Sequence, residues 1–311
     1  MSANGRQARG SSIFAVALIG VLWGLNWPAV KFMLTELQPL TMRAVAFTLA
    51  AVLLAIIARV MGHSLRMPKD EIVHAVVTGA LVIFGFNALT AFGQLLVQTS
   101  RAAIIAYTMP AMTAVLAAVF LGDRLDARLV AALVIGMAGL AVLVSENLPE
   151  LAAAPAGPAI MALAALSWAL GNVALKSRRW SLSPIALTVW FFVVSALLCW
   201  PLVLAFEVPW EQPWPSAPVL WALAYHVLGP VVVCYVVWTV LVGRLPATVA
   251  AISTLTAPVV GVVSAVVLLG DPLTWQKVLA LALVVLSIAM TLAPPRLTTG
   301  EKTRGRTSAT D

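Results

Sequence analysis

The chain has 311 residues, 62% of them hydrophobic and only 10% charged, with a mean hydropathy of +1.01. A soluble domain carries roughly 25% charged residues, so this chain could not cover a water-facing surface and reads as a multi-pass membrane protein. The net charge of +7 is spread over short loops and tails, which fits a topology signal and argues against a nucleic-acid patch.

Residues 1–12 are polar and carry Arg6 and Arg9, and an apolar run follows. That start resembles a signal peptide, but no cleavage site precedes polar sequence, and the run continues through Trp23 to Met33. It is therefore read as the first membrane helix. A helix needs about 20 mostly apolar residues to cross the bilayer core. Ten such spans follow in order at about 13–33, 39–61, 71–95, 101–121, 126–145, 157–177, 184–206, 217–242, 247–269 and 274–293. The expected fold class is an all-α integral membrane protein. Residues 13–145 would form one five-helix half and 157–293 a second, joined by an outer loop at 146–156 and followed by a basic, disordered tail at 294–311. With the N-terminus inside, 15 of the 19 lysines and arginines fall on cytoplasmic segments. Both termini are then expected in the cytoplasm. The other four, Lys31, Arg43, Arg101 and Lys277, are placed at outer helix ends. Cys199 and Cys234 lie in apolar segments without metal-ligand spacing and read as packing residues.

The chain repeats itself. WGLNWPAVK at 23–31 matches WALGNVALK at 168–176, and Pro39 matches Pro184, both at an offset of 145. TMPAMTAVLAAVFLGD at 108–123 matches TAPVVGVVSAVVLLGD at 256–271 at an offset of 148. Matches of Ala, Val and Leu come cheaply in apolar helices, but Trp–Lys, Pro and Leu-Gly-Asp in the same order do not. Five helices per copy is an odd number, so the second copy would cross with opposite polarity. Inverted repeats of this kind recur in secondary transporters, with the substrate site near the midplane between the halves.

These motifs resemble the EamA family of the drug/metabolite transporter superfamily. The resemblance rests on Trp-Gly-x-Asn in the first helix, Pro39-x3-Arg43 opening the second, and Pro-x11-Gly-Asp closing the fourth and ninth. Asp123 and Asp271 stand where that family usually has Glu. The resemblance implies ten helices in two inverted halves and the transport of small metabolites, usually export. Within the family the chain looks most like exporters of aromatic amino acids.

All twelve acidic residues map to loops, tails or helix ends. A pump for organic cations or a proton relay often needs a deep carboxylate, so a neutral, zwitterionic or apolar substrate is favoured. The deep polar residues are Asn26, Asn87, Gln94, Asn172 and His226, with Thr90, Ser167 and Thr256. An amide can donate to a carboxylate and accept from an ammonium group, but it serves equally well as an interhelical hydrogen bond, about 0.6 kcal/mol each. His226 reads as a ligand or as a satisfied packing residue. Among the aromatic residues, Trp23 and Trp168 recur in both halves, and Tyr107 and Trp238 share helices with positions that the family resemblance places at the cavity. The candidate substrate-binding set is thus Trp23, Asn26, Asn87, Tyr107, Trp168, Asn172, His226 and Trp238. Pro110 and Pro258 read as matched mid-helix kinks, able to gate or simply to bend the bundle. Lys31 and Lys176 read as snorkelling residues at helix ends.

No HExxH pair, nucleophile–base set or phosphate-binding glycine loop is present, so an integral-membrane enzyme and direct use of ATP are disfavoured. No metal or cofactor is called for. The expected partners are the lipid bilayer and a small molecule, an amino acid first, and the expected location is a bacterial inner membrane. A nucleotide-sugar, drug or vitamin carrier of the same superfamily is the alternative. Oligomeric state is left open, with a monomer among the states allowed.

Overall fold

In hydrocarbon every backbone polar group must find its partner inside the chain, which favours helices whose bonds close within one segment. The computed structural model describes residues 3–97, 102, 105–145, 155–269 and 273–292, and all regular structure among them is helical. Ten helical segments follow the expected order. They are α1 (Ala3–Met33), α2 (Pro39–Val60), α3 (Ile72–Leu96), α4 (Met109–Leu121), α5 (Ala127–Val144), α6 (Ala156–Lys176), α7 (Pro184–Phe206), α8 (Ala217–Arg244), α9 (Ala247–Ser253 and Thr256–Leu269) and α10 (Trp275–Leu292). Six of them, α1, α2, α3, α6, α7 and α8, are long and apolar enough to cross a membrane. The tail from 294, most of the 146–156 loop and the Asp271 motif position lie outside the described residues.

Local sequence sets the ends. Pro39 and Pro184 occupy the first turns of α2 and α7, where a missing N–H costs nothing. Asp126 caps α5 by accepting from the Leu129 N–H at 2.8 Å. Glu207, at the end of α7, accepts from the Leu40 and Thr41 N–H groups at 2.9 and 2.6 Å, so the start of α2 is satisfied inside the protein.

The helices pair in a pattern that survives exchange of the halves. α2 packs on α7 and α5 on α10; α1 packs on the second piece of α9, and α6 on α4; α3 meets α6, and α8 meets α1. Gly136 and Gly139 of α5 face Ser287 and Ala280 of α10, the close contact expected of these small residues. At Gly24, an added Cβ would stand 2.7 Å from the Ala257 carbonyl oxygen, so the α1–α9 approach requires glycine there.

Two features depart from regular helices. The prolines expected as mid-helix kinks are not inside continuous helices. Tyr107 and Thr108 form a turn before α4, and Thr254 and Leu255 divide α9, so Pro110 and Pro258 fall in the first turn of the following helix. A continuous helix would drive each ring into the carbonyl of Ala106 or Thr254. The chain instead tightens upstream, with Thr108 N–H on Ile105 O and Thr254 N–H on Ala251 O, both at 3.1 Å. Second, α3 widens into a π-helical stretch at Ala80–Gly85 and α8 does so at Val227–Val233. Each is tied to the neighbouring half: Ser167 Oγ of α6 donates to Leu81 O, and Trp23 Nε1 of α1 donates to Pro230 O. π-turns of this kind often mark functional positions.

Candidate functional site

The π-stretch of α8 lines a cavity through Pro230 and Val231, and that of α3 ends beside it at Phe86; the space is about 560 Å³ with the solvent at its open mouth included. Its wall is drawn from α1, α2, α3, α6, α8 and the break before α4. Trp23, Asn26 and Trp27 come from α1, Arg43 from α2, Phe86, Asn87, Thr90 and Gln94 from α3, Tyr107 and Met109 from the break, Trp168 from α6, and His226 and Tyr235 from α8. Of the eight predicted binding residues, the cavity brings together Trp23, Asn26, Asn87, Tyr107, Trp168 and His226.

Asn172 and Trp238 do not line it. Trp238 Nε1 donates to Asn172 Oδ1 at 2.8 Å, and Asn172 Nδ2 donates to the Trp168 carbonyl one turn back. They form a buried strut next to the cavity. Trp238 stacks at 5.3 Å from Trp168, which meets Trp23 edge-on at 5.4 Å, and Tyr235 lies 5.7 Å from Trp23. Aromatic pairs at these distances contribute about 0.5–1.5 kcal/mol each beyond burial. The result is one aromatic wall shared by α1, α6 and α8. Trp27 Nε1 donates to the Tyr107 hydroxyl at 3.0 Å, fixing Tyr107 at the break before α4.

The residue that the sequence reading misplaced is Arg43. It is not at an exposed outer end but 2% exposed within the cavity wall. Because Glu207 satisfies the first turn of α2 inside the protein, a position five residues into that helix is already deep. Arg43 Nε donates to Asn87 O at 3.0 Å, Nη1 lies 3.1 Å from His226 Nε2, and Nη2 is 3.5 Å from Thr90 Oγ1. Arginine only donates, so Nε2 of His226 accepts. Nδ1 then carries the proton and donates to Asn26 Oδ1 at 2.7 Å. A hydrogen-bonded chain thus runs from α3 through α2 and α8 to α1. Asn87 Nδ2 adds a bond of 2.7 Å to the Tyr235 hydroxyl. The Pro-x3-Arg motif is the sequence signal that marks Arg43.

Two cavity groups are buried without a hydrogen-bond partner, the Gln94 Oε1 acceptor and the Trp168 Nε1 donor. Buried polar atoms are rarely left so, and both belong to residues of the cavity wall. No carboxylate lines the cavity, and among the described residues no group of three or more His, Cys, Asp or Glu could hold a metal. Lys31 is not simply snorkelling: its Nζ donates to the Gln94 carbonyl at 2.6 Å, capping the last turn of α3, and Lys176 does the same to the Val242 carbonyl of α8 at 2.9 Å.

Comparison with known proteins gives the same architecture a family. The chain is 27% identical to a "Probable amino-acid metabolite efflux pump" of Salmonella typhimurium, over 87% of this chain and 91% of that one. It is 27% identical to the "Aromatic amino acid exporter YddG" of Ancylobacter novellus, over 73% and 79% of the two chains. A solved crystal structure superposes with a TM-score of 0.71 at 22% identity, covering 94% of this chain and 98% of the other, a likeness of fold. The EamA-like transporter family matches twice, over residues 10–145 and 156–293, and the chain belongs to it as a membrane transporter.

Proposed function

We propose that this transporter exports amino acids with aromatic or large apolar side chains. It does so by alternating access through the central cavity, between two inverted five-helix halves (13–145 and 157–293) with both termini cytoplasmic. The observation that carries the reading is the composition of the cavity wall: six aromatic side chains, three amides and a guanidinium, and no carboxylate. Rings accept a planar side chain by stacking, and the polar groups can take the backbone groups of an amino acid. The efflux-pump and exporter relatives support the same substrate class. The lysine and arginine distribution supports the orientation, and the exchange-symmetric helix pairing supports two related halves. The breaks before Pro110 and Pro258 interrupt the helix backbone, the first of them at the cavity wall, and are the proposed gates.

The test is uptake into liposomes containing the purified protein. Labelled phenylalanine and tryptophan are expected to enter above empty vesicles, and a neutral sugar and an organic cation are not. Absence of uptake for every amino acid overturns the substrate class.

A further inference from the structure

We infer that Arg43 is the anchor for a carboxylate on the transported molecule, with His226 holding the guanidinium in position. This rests on reading the cavity as the transport site. Three observations carry it. Arg43 is an always-charged group, 2% exposed, and among the described residues no acid forms an ion pair with it. A buried charge without a counter-charge is costly, and a bound anion relieves that cost. Second, a guanidinium has five N–H donors. Nε–H is taken by Asn87 O, Nη1 has one close partner in His226, and the Nη2 contact to Thr90 is long at 3.5 Å. N–H groups on both terminal nitrogens therefore remain for a carboxylate. Third, a residue of the same cavity wall, Trp168, carries an unpartnered donor at Nε1–H, and Lys31 adds another cation at the Gln94 end.

The electrostatics therefore select for the carboxylate before the ammonium group, since a guanidinium and no carboxylate line the cavity. His226 accepts from Arg43 while its other nitrogen is fixed by Asn26, so it acts on substrate through Arg43 and is a positioning residue.

A series of phenylalanine relatives separates the contributions. Phenylpropionate keeps the carboxylate and loses the amine, phenylalaninamide keeps the amine and loses the charge on the acid, and phenethylamine loses the carboxyl altogether. Binding is read by quenching of tryptophan fluorescence on the purified wild-type protein, since Trp23, Trp27 and Trp168 line the cavity. This readout does not require transport. Phenylpropionate is expected to bind, with the amide and the amine weaker by about tenfold or more, as for loss of a charge-assisted hydrogen bond. Arg43→Gln should abolish that preference and Arg43→Lys restore part of it. His226→Phe should weaken phenylpropionate but leave the order of the series unchanged. Amide and acid binding equally to wild type, or Arg43→Gln binding both like wild type, overturns the proposal. Preference for the acid together with no amino-acid uptake in liposomes would retain the anchor and reject amino-acid export. Uptake of phenylalanine blocked equally by amide and acid would do the reverse.

Discussion

The two halves share a frame and divide the chemistry. Trp23 matches Trp168, and the two rings touch. Lys31 matches Lys176, and each caps the last turn of the third helix in its own half. Both halves have a π-stretch in that helix and a turn before a proline further on. The offset grows from 145 to 148 because α8 is three residues longer than α3. At the cavity the pairs diverge. Arg43, Asn87, Thr90 and Gln94 in the first half correspond to Thr188, Tyr235, Trp238 and Val242 in the second, and Asn26 corresponds to Gly171. The first half supplies nearly all the polar wall and four of the cavity's six aromatic residues, and the second adds Trp168, Tyr235 and His226. A symmetric scaffold lets helices pack in matched pairs, and substitutions at matched positions then make the contributions of the two halves to the cavity unequal.

Placing the polar set in the wrong half should break the molecule. An added Cβ at Gly171 would stand 2.6 Å from the Val82 backbone nitrogen, and main chain cannot rotate away. Gly171→Asn, which copies Asn26 into the second half, is expected to cost about 3 kcal/mol or more by overpacking, read as a large fall in unfolding temperature in detergent. Asn26→Gly should keep the fold and slow transport, because it removes only the acceptor for His226 Nδ1. Equal stability of Gly171→Asn and the wild type would mean that α3 and α6 are not packed this closely.

The matched lysines sharpen the contrast by separating stability from transport. Lys31→Met and Lys176→Met each remove a charged cap from a last-turn carbonyl and should cost a similar amount, about 1–2 kcal/mol. Only the first disturbs a cavity-lining residue, since Gln94 belongs to the wall and Val242 does not. Transport normalised to folded protein should therefore fall for Lys31→Met and hold for Lys176→Met. Equal transport loss in both would make the caps purely architectural.

Much of this frame is legible in the sequence, because hydrophobic run length and the Trp, Lys and Pro repeats are properties of single positions. The expected spans agree with the helices to within a few residues wherever the chain is described, apart from the breaks and from α1, which begins at Ala3 and so takes in most of the polar segment expected to precede it. The site is legible only in part, because depth along a helix does not say which way a residue faces. Asn172 is as deep as expected, yet its amide is consumed by Trp168 and Trp238. Arg43 reads as shallow from its short distance to Pro39, but the Glu207 cap from α7 puts the start of α2 inside the protein. The π-stretches leave no residue signature, since they depend on partners 86 and 207 positions away.

A smaller effect separates the two matched tryptophans. Trp23 Nε1 satisfies the Pro230 carbonyl in the π-stretch of α8, whereas Trp168 Nε1 has no partner. Replacing either by Phe removes a similar volume, so the difference between them isolates the hydrogen bond. Trp23→Phe should be less stable than Trp168→Phe by about 1 kcal/mol in thermal unfolding. Identical values would show that the wide turn of α8 holds without its tether.

The smallest effect concerns a latch that appears twice with its partners exchanged. Ser216 donates to Glu36 through its N–H and its hydroxyl, both at 2.7 Å, and Ser181 N–H donates to Glu71 Oε1 at 2.9 Å. Glu36 matches Ser181 and Glu71 matches Ser216 at the offset of 145. Glu71 is buried and also 3.5 Å from Arg178, while Glu36 is exposed. The Ser216 N–H first, and then its hydroxyl, holds the Glu36 carboxyl below the usual carboxylate range against a smaller opposing effect of burial. A carboxyl whose folded pKa is depressed stabilises the fold above its unfolded pKa and loses that contribution as pH falls through the folded one. The wild type should therefore unfold slightly above Glu36→Gln at neutral pH, and the gap should close on acidification below about pH 4. A gap that stays constant across that range would mean the two serine bonds do not depend on the charge of Glu36.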